Sequence, residues 1–231
     1  MKKFKEIFEG NNSVHGVMTI GSPAAAGEKQ EATCRMPSEP VTDKMWTDHL
    51  EGKEPSLGIV PINEENMCKW GCIDIDVYDT LNHQSLMRDI KGRGYPLITF
   101  RSKSGGAHLF LFAKEFVPAV LMQSKLKEIA EDLGYGGVEV FPKQTELLMD
   151  QGDRGSFLNL PYHGGDTSLR YAHKSGGESA TLEDFYSMYD EWAQTKEQIE
   201  SIKIKPKAKE EEAFPDGPPC LNKLAKKGFT Q

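Results

Sequence analysis

The alternation of apolar and polar positions is strictest in residues 70–80, which begin W-G-C-I-D-I-D-V-Y-D. Ile73, Ile75 and Val77 fall on one face and Asp74 and Asp76 on the other, the two-residue period of a strand. Around it the chain switches period repeatedly. Ser13–Ile20 predicts a strand, and the Gly-, Pro-, Ala- and Glu-rich stretch Gly21–Pro40 a long loop. Met45, Trp46, His49 and Leu50 have helical spacing behind a Thr42 N-cap. Leu57–Ile62 predicts a short buried strand and Asn63–Asn66 a turn.

After the alternating strand, Gln84–Lys91 predicts a helix stopped by Gly92 and Gly94. Tyr95–Arg101 and Ala107–Ala113 read as the two strands of a hairpin around Ser104-Gly105-Gly106. Met122, Leu126, Ile129, Ala130 and Leu133 recur at three and four residues, giving an amphipathic helix over 118–133 that ends at Gly134. Val138–Phe141, Phe157–Leu160 and Leu169–Ala172 predict further short strands. Thr181-Leu182-Glu183-Asp184 resembles a capping box, with Asp in place of the usual Glu or Gln, and opens a helix carrying Leu182, Phe185, Tyr189 and Trp192 on one face. The middle of the chain thus reads strand–helix–strand–strand–helix–strand, the order of an RRM-like or ferredoxin-like β-α-β-β-α-β unit in an α+β fold.

Composition adds boundaries. The 231 residues, 38% hydrophobic and 27% charged, suffice for one large domain or two small ones. From Lys196 to Pro219 the chain turns to Lys, Glu and Pro and predicts a solvated linker; residues 220–231 read as the start of a further helical segment of a longer protein. No apolar run reaches the ~20 residues of a membrane span and no signal peptide is evident, so the expected setting is the cytoplasm. The net charge of −7 argues against a protein that coats nucleic acid by bulk electrostatics. It leaves room for an enzyme with a local positive track and a carboxylate cluster. Cys34, Cys68, Cys72 and Cys220 lack the spacing of a complete zinc site and are read as structural or incidental thiols. No G-x4-G-K-[ST] loop occurs in the chain.

Asp74 and Asp76, two apart on a strand, point the same way and repel each other unless a cation lies between them. Hard, oxygen-preferring ions such as Mg²⁺ or Mn²⁺ suit that role. Taken singly, the pair reads equally as solvated acids on an edge strand. Glu139 sits between Val138 and Val140; on the fourth strand of the unit it need not neighbour the aspartates. His108 follows R-S-K-S-G-G-A and shares a face with Phe110 and Phe112. The adjoining Lys103, Ser104 and the glycine pair suit a polyphosphate, although a plain hairpin with a surface lysine has the same sequence.

In order, D-I-D, K-S-G-G-A-H-L, V-E-V-F-P-K-Q and L-N-L-P-Y resemble the archaeo-eukaryotic primase superfamily, most closely its primase–polymerase branch of phages and mobile elements, over roughly residues 1–190. The resemblance implies a catalytic domain over 1–195, with an N-terminal α/β module (1–70) packed on an RRM-like catalytic module (71–195). It implies that Asp74, Asp76 and Glu139 hold two divalent ions, with Glu139 standing where many members carry Asp. His108 would hydrogen-bond the triphosphate and Lys103 and Lys143 would neutralise it, with Ser104, Arg101 and Asn159 as further nucleotide or template contacts. The expected partners are single-stranded DNA, dNTPs or NTPs and a replicative helicase, either a separate protein or a part beyond Gln231, with the protein a monomer off the membrane. Two competing readings are a two-metal nuclease, disfavoured by the spacing from Glu139 to Lys143, and a non-catalytic single-strand-binding or origin-recognition module stacking bases on Phe110 and Phe112.

Overall fold

The computed structural model describes residues 1–20, 32–77 and 80–204. Tyr78 and Asp79, residues 21–31 of the expected 21–40 loop, and residues 205–231 of the expected linker and C-terminal segment lie outside the described residues. The fold is α+β, built on two four-stranded antiparallel sheets.

The first sheet contains β1 (Gly16–Ile20), β2 (Ala32–Arg35), β3 (Ser56–Ile59) and β8 (Leu158–Asn159), in the order β2-β1-β3-β8. Residues 32–35, expected as loop, pair with β1 from Ile20↔Ala32 to Val17↔Arg35. All four residues of β2 are exposed, so no apolar alternation marks this edge strand. The fourth strand comes from far along the chain. Asn159 pairs with Gly58, so residues 1–70 do not close their own sheet.

The second sheet contains β4 (Met67–Ile75), β5 (Ile98–Arg101), β6 (Ala107–Pro118) and β7 (Glu139–Phe141), in the order β5-β6-β4-β7. α3 (His83–Arg93) joins β4 to β5, and α4 (Ala119–Asp132) joins β6 to β7. Asn82 caps α3 through the Ser85 amide, and Gly94, at φ 76°, ends it in the left-handed conformation that favours glycine. Gly92 lies inside this helix and not beyond it.

The period-2 pattern of the strands sorts two cores. Ile73, Ile75, Leu109, Leu111 and Val140 pack with Leu86, Ile90, Met122, Leu126 and Ile129 of α3 and α4. The opposite face carries Trp70, Cys72, Phe100, Phe110, Phe112 and Phe141. These join Leu57, Ile59 and Leu158 of the first sheet, Phe4 of α1 (Lys2–Ile7), the adjoining Phe8, Trp46 of α2 (Asp43–Leu50) and Phe185 of α5 (Leu182–Trp192) in an aromatic core between the sheets. Phe110 and Phe112 stack at 5.4 Å and are at most 1% exposed, so neither offers a face to a base. Cys68 and Cys72 sit in different cores.

Two further elements differ from expectation. Leu169–Ala172 forms no strand; a single bridge, Phe100↔Ala172, ties it to the outer edge of β5. The expected linker begins instead with α6 (Lys196–Ser201). Thr195 and Gln198 form a capping box there, and buried Ile199 joins the core beside α4 and β6. The helix itself contains one apolar residue, too little periodicity to reveal it, and Ile202 and Ile204 after it pack on the same core. The expected capping box at Thr181 forms, with Asp184 accepting from both the Thr181 amide and hydroxyl. No helix among the described residues is long and apolar enough to cross a membrane.

Candidate active site

The aromatic face of the second sheet becomes polar at one end. Along β4 it runs Trp70, Cys72, Asp74, and along β6 Phe112, Phe110, His108. Asp74 pairs directly with His108 on one side and with Glu139 on the other. Cross-strand partners project from the same face, so the three side chains form one row across β6, β4 and β7. Asp76 lies just beyond the last residue of β4 and is exposed.

This row borders a cleft of about 640 Å³ where the two sheets part. Asp74, Asp76, Ser102, Lys103, Ser104 and His108 line it from the second sheet and its hairpin. Met18, Ala32, Leu158 and Asn159 line it from the first, and Arg170 completes it. The volume is in the ordinary range for a small-molecule site.

The hairpin turn is fixed by more than its glycines' flexibility. Gly105 has φ 95°, which its type of residue tolerates. At Gly106 a Cβ would come within 2.3 Å of the Ile75 carbonyl oxygen, so only glycine lets the turn lie against the end of β4. The Gly106 carbonyl accepts from the Ser102 amide at 2.9 Å and contacts Nε2 of His83 at 3.1 Å. Lys103 and Ser104 are thereby held over the cleft.

His108 Nε2 lies 3.2 Å from Asp74 Oδ1. The approach lacks hydrogen-bond geometry, and Asp74 Oδ1 is a sealed polar atom with no hydrogen-bond partner. Ser102 Oγ and Asn159 Oδ1, both in the cleft walls, are in the same condition. Sealed polar atoms without partners are costly in a folded protein and point to groups that arrive from outside.

The expected site residues separate into two sets. Asp74, Asp76, His108, Lys103, Ser104 and Asn159 share the cleft. Glu139, Lys143 and Arg101 do not line it. Glu139 is next to Asp74 in the ladder, but its carboxylate pairs with Lys143 Nζ at 2.7 Å and its side chain is 60% exposed. Lys143 also lies over the Phe141 ring. Arg101 Nη1 donates to the carbonyls of Leu169 at 3.1 Å and Ser102 at 3.3 Å, a bracing role for the cleft wall.

For a divalent cation, the fit is partial. Asp74 and Asp76 supply hard oxygen donors at one cleft, with Asp74 Oδ1 set against His108 Nε2 at 3.2 Å. Among the described residues no three His, Cys, Asp or Glu side chains converge as a ligand set, because Glu139 is turned to Lys143.

Sequence reasoning missed Arg170 and Ser102. Arg170 follows Leu169 in a segment read only as a short strand. Its signal would have been a lone basic residue close behind L-N-L-P-Y, which spacing alone does not single out.

A family model described as the archaeo-eukaryotic primase domain of TOTE conflict systems matches residues 2–205. No curated protein matches the chain.

Proposed function

The chain belongs to the archaeo-eukaryotic primase domain family of TOTE conflict systems, and from that premise we propose that it joins nucleotides on a single-stranded DNA template by metal-dependent nucleotidyl transfer. One observation carries the reading. Asp74, whose Oδ1 makes no hydrogen bond and faces His108 Nε2 at 3.2 Å, stands between His108 and Glu139 in the ladder and lines a nucleotide-sized cleft that Asn159 and Arg170 also line. The second sheet, with its strand order β5-β6-β4-β7 and two crossover helices, supports assignment as the RRM-like catalytic module, with the first sheet as the N-terminal one.

In this proposal Asp74 and Asp76 ligate Mg²⁺ or Mn²⁺, and Glu139 completes the set by exchanging Lys143 for the ion. Bound ions would supply Lewis acidity to the attacking 3′-hydroxyl and charge compensation to the triphosphate. His108, braced by the β4–β6 ladder, presents its ring to the incoming phosphates. Lys103 and Ser104 contact them from the hairpin, whose tight packing on β4 fixes their position before substrate arrives. Asn159 Oδ1 accepts from the nucleotide, which satisfies a group otherwise left without a partner. The burial of Phe110 and Phe112 speaks against a base-stacking module.

The test is incubation with labelled dNTPs or NTPs and Mg²⁺ or Mn²⁺ on single-stranded DNA, primed and unprimed. Lengthening products support the proposal, and the unprimed arm separates initiation from extension. Shortening of the template instead would identify a nuclease, and binding with no change in either strand a non-catalytic module.

A further inference from the structure

β5 is the last strand of its sheet. The segment after Arg170 covers its outer side at two points. The Arg101 amide donates to the Tyr171 carbonyl at 2.9 Å, and the His173 amide to the Thr99 carbonyl at 2.8 Å. Beside that cover, Leu97 and Ile98 line a groove between α3 and α5. The groove has two parts that meet at Trp192, which is 37% exposed. One is a pocket of about 250 Å³ walled by Met87, Ile90, Leu97 and Met188. The other, of about 700 Å³, runs from Arg93 and Pro96 to Gln198 and Lys203. Neither part shares a lining residue with the catalytic cleft.

The charge of this groove is one-sided. Arg88, Lys91, Arg93 and Lys203 line it, against Glu191. Arg93 is committed to Asp132 at 2.6 Å. Arg88, Lys91 and Lys203 are exposed and form no ion pair among the described residues. In a chain of net charge −7, such a stripe fits an anionic partner. The pocket narrows the choice of anion. Its walls are thioether and branched aliphatic side chains, an adaptable apolar surface suited to one bulky side chain. A nucleic-acid strand is served instead by a series of aromatic faces for successive bases, and the groove offers Trp192 alone beside the pocket. The chain's own run Lys205–Glu212, K-P-K-A-K-E-E-E, sets three lysines against three glutamates and is the poorer electrostatic match.

We propose that this groove docks an acidic peptide segment of a partner protein. A bulky apolar side chain of the segment seats in the pocket between Met87 and Met188, and its carboxylates meet Arg88, Lys91 and Lys203. The apolar anchor supplies most of the affinity, and the charges supply orientation and rate of encounter. The docking site does not depend on the nucleotidyl-transfer reading, since it lies outside the cleft.

The experiment titrates the full chain into a fluorescein-labelled synthetic peptide, Glu-Asp-Glu-Leu-Phe-Glu-Asp, at low salt and follows its anisotropy. Wild type is expected to bind with a Kd of micromolar order. Arg88→Glu combined with Lys91→Glu should weaken binding by about tenfold or more, as should Met188→Asp, which places a charge in the pocket. A peptide with Ser in place of Phe should lose a similar factor. Arg88 and Lys91 are exposed, so the charge-reversed pair carries the test if Met188→Asp does not fold. The proposal is overturned if wild type does not bind the peptide, if the charge-reversed protein binds it normally, or if the Ser peptide binds as well as the parent. A single-stranded oligonucleotide that displaces the probe and loses its own affinity in the charge-reversed protein would assign the groove to nucleic acid instead. An unlabelled peptide of residues 205–219 that competes as strongly as the probe would assign it to the chain's own segment. Either result overturns the proposal. Groove-dependent peptide binding in a protein that adds no nucleotides would sink the nucleotidyl-transfer reading and leave this one standing.

Discussion

Asp74 and Glu139 face each other across the β4–β7 ladder as direct partners, yet only Asp74 opens on the cleft, because Lys143 holds the Glu139 carboxylate at 2.7 Å. The pair is exposed and so costs little to break, on the order of 1 kcal/mol or less. Lys143→Met should therefore free Glu139 toward Asp74. The expected outcome is tighter Mn²⁺ binding, read by electron paramagnetic resonance titration. Unchanged Mn²⁺ affinity would remove Glu139 from the ligand set.

Asp74→Asn and Asp76→Asn preserve volume and remove charge at the cleft. Each is expected to lower single-turnover nucleotide addition by roughly a thousandfold, comparable to other losses of a strong electrostatic group at a reacting centre. Glu139→Gln should cost less than either, since its side chain starts outside the cleft. Thermal midpoints close to wild type in all three would confine the effect to chemistry. An Asp74→Asn protein that extends primers at the normal rate would exclude the metal assignment.

Gly106→Ala adds one methyl group where the Ile75 carbonyl oxygen leaves 2.3 Å. Backbone must move, at a cost of about 1–3 kcal/mol. Because the same carbonyl group of Gly106 anchors Ser102 and meets His83, displacement should loosen Lys103 and Ser104 as well. A urea titration should show the lost stability. Nucleotide KM should rise with it; a variant losing stability alone would separate the turn from binding.

His49 links three segments. Its Nδ1 accepts from the Leu57 amide at 3.0 Å and its Nε2 donates to the Pro161 carbonyl at 2.8 Å. Burial holds its pKa down to about 3, against an ordinary value near 6.5. The unfolded chain then takes up a proton that the folded chain refuses between those values. Its contribution to stability is complete above pH ~6.5 and is lost as pH falls toward 3, with a slope of up to ~1.4 kcal/mol per pH unit. Burial lowers the His173 pKa too, which adds to the same trend. His49→Gln is expected to flatten the fall in urea midpoint between pH 7 and 4. An identical slope in the variant would contradict this account.

Asp132, 6% exposed at the end of α4, accepts from Arg93 Nη1 at 2.6 Å and the Tyr95 hydroxyl at 2.5 Å. It joins the two helices that cover the sheet opposite the cleft. Asp132→Ala removes the buried acceptor that the two donors share and should destabilise by about 2–4 kcal/mol, with Asp132→Asn recovering part. Nucleotide KM at a temperature where the variant stays folded should match wild type, because the contact lies on the far face.

The sequence by itself determined whatever depends on neighbours a few positions away. Period-2 alternation placed Ile73 and Ile75 on the helix-covered face and the aspartate side opposite. Caps at Thr42, Gly94 and Thr181 located helix ends, and the D-I-D, G-G-A-H and V-E-V-F-P-K-Q segments carried the family resemblance. Tertiary structure alone decided the rest, because it depends on residues far apart in the chain. Ladder register made Asp74 the partner of both His108 and Glu139. A short-range ion pair, which no spacing rule specifies, turned Glu139 to Lys143. Closure of the first sheet by β8 brought Asn159 to the cleft, and a single bridge to β5 seated Arg170 there. A two-residue strand and an isolated bridge leave no periodic trace, since their stability comes from the sheet edge they join and not from their own sequence.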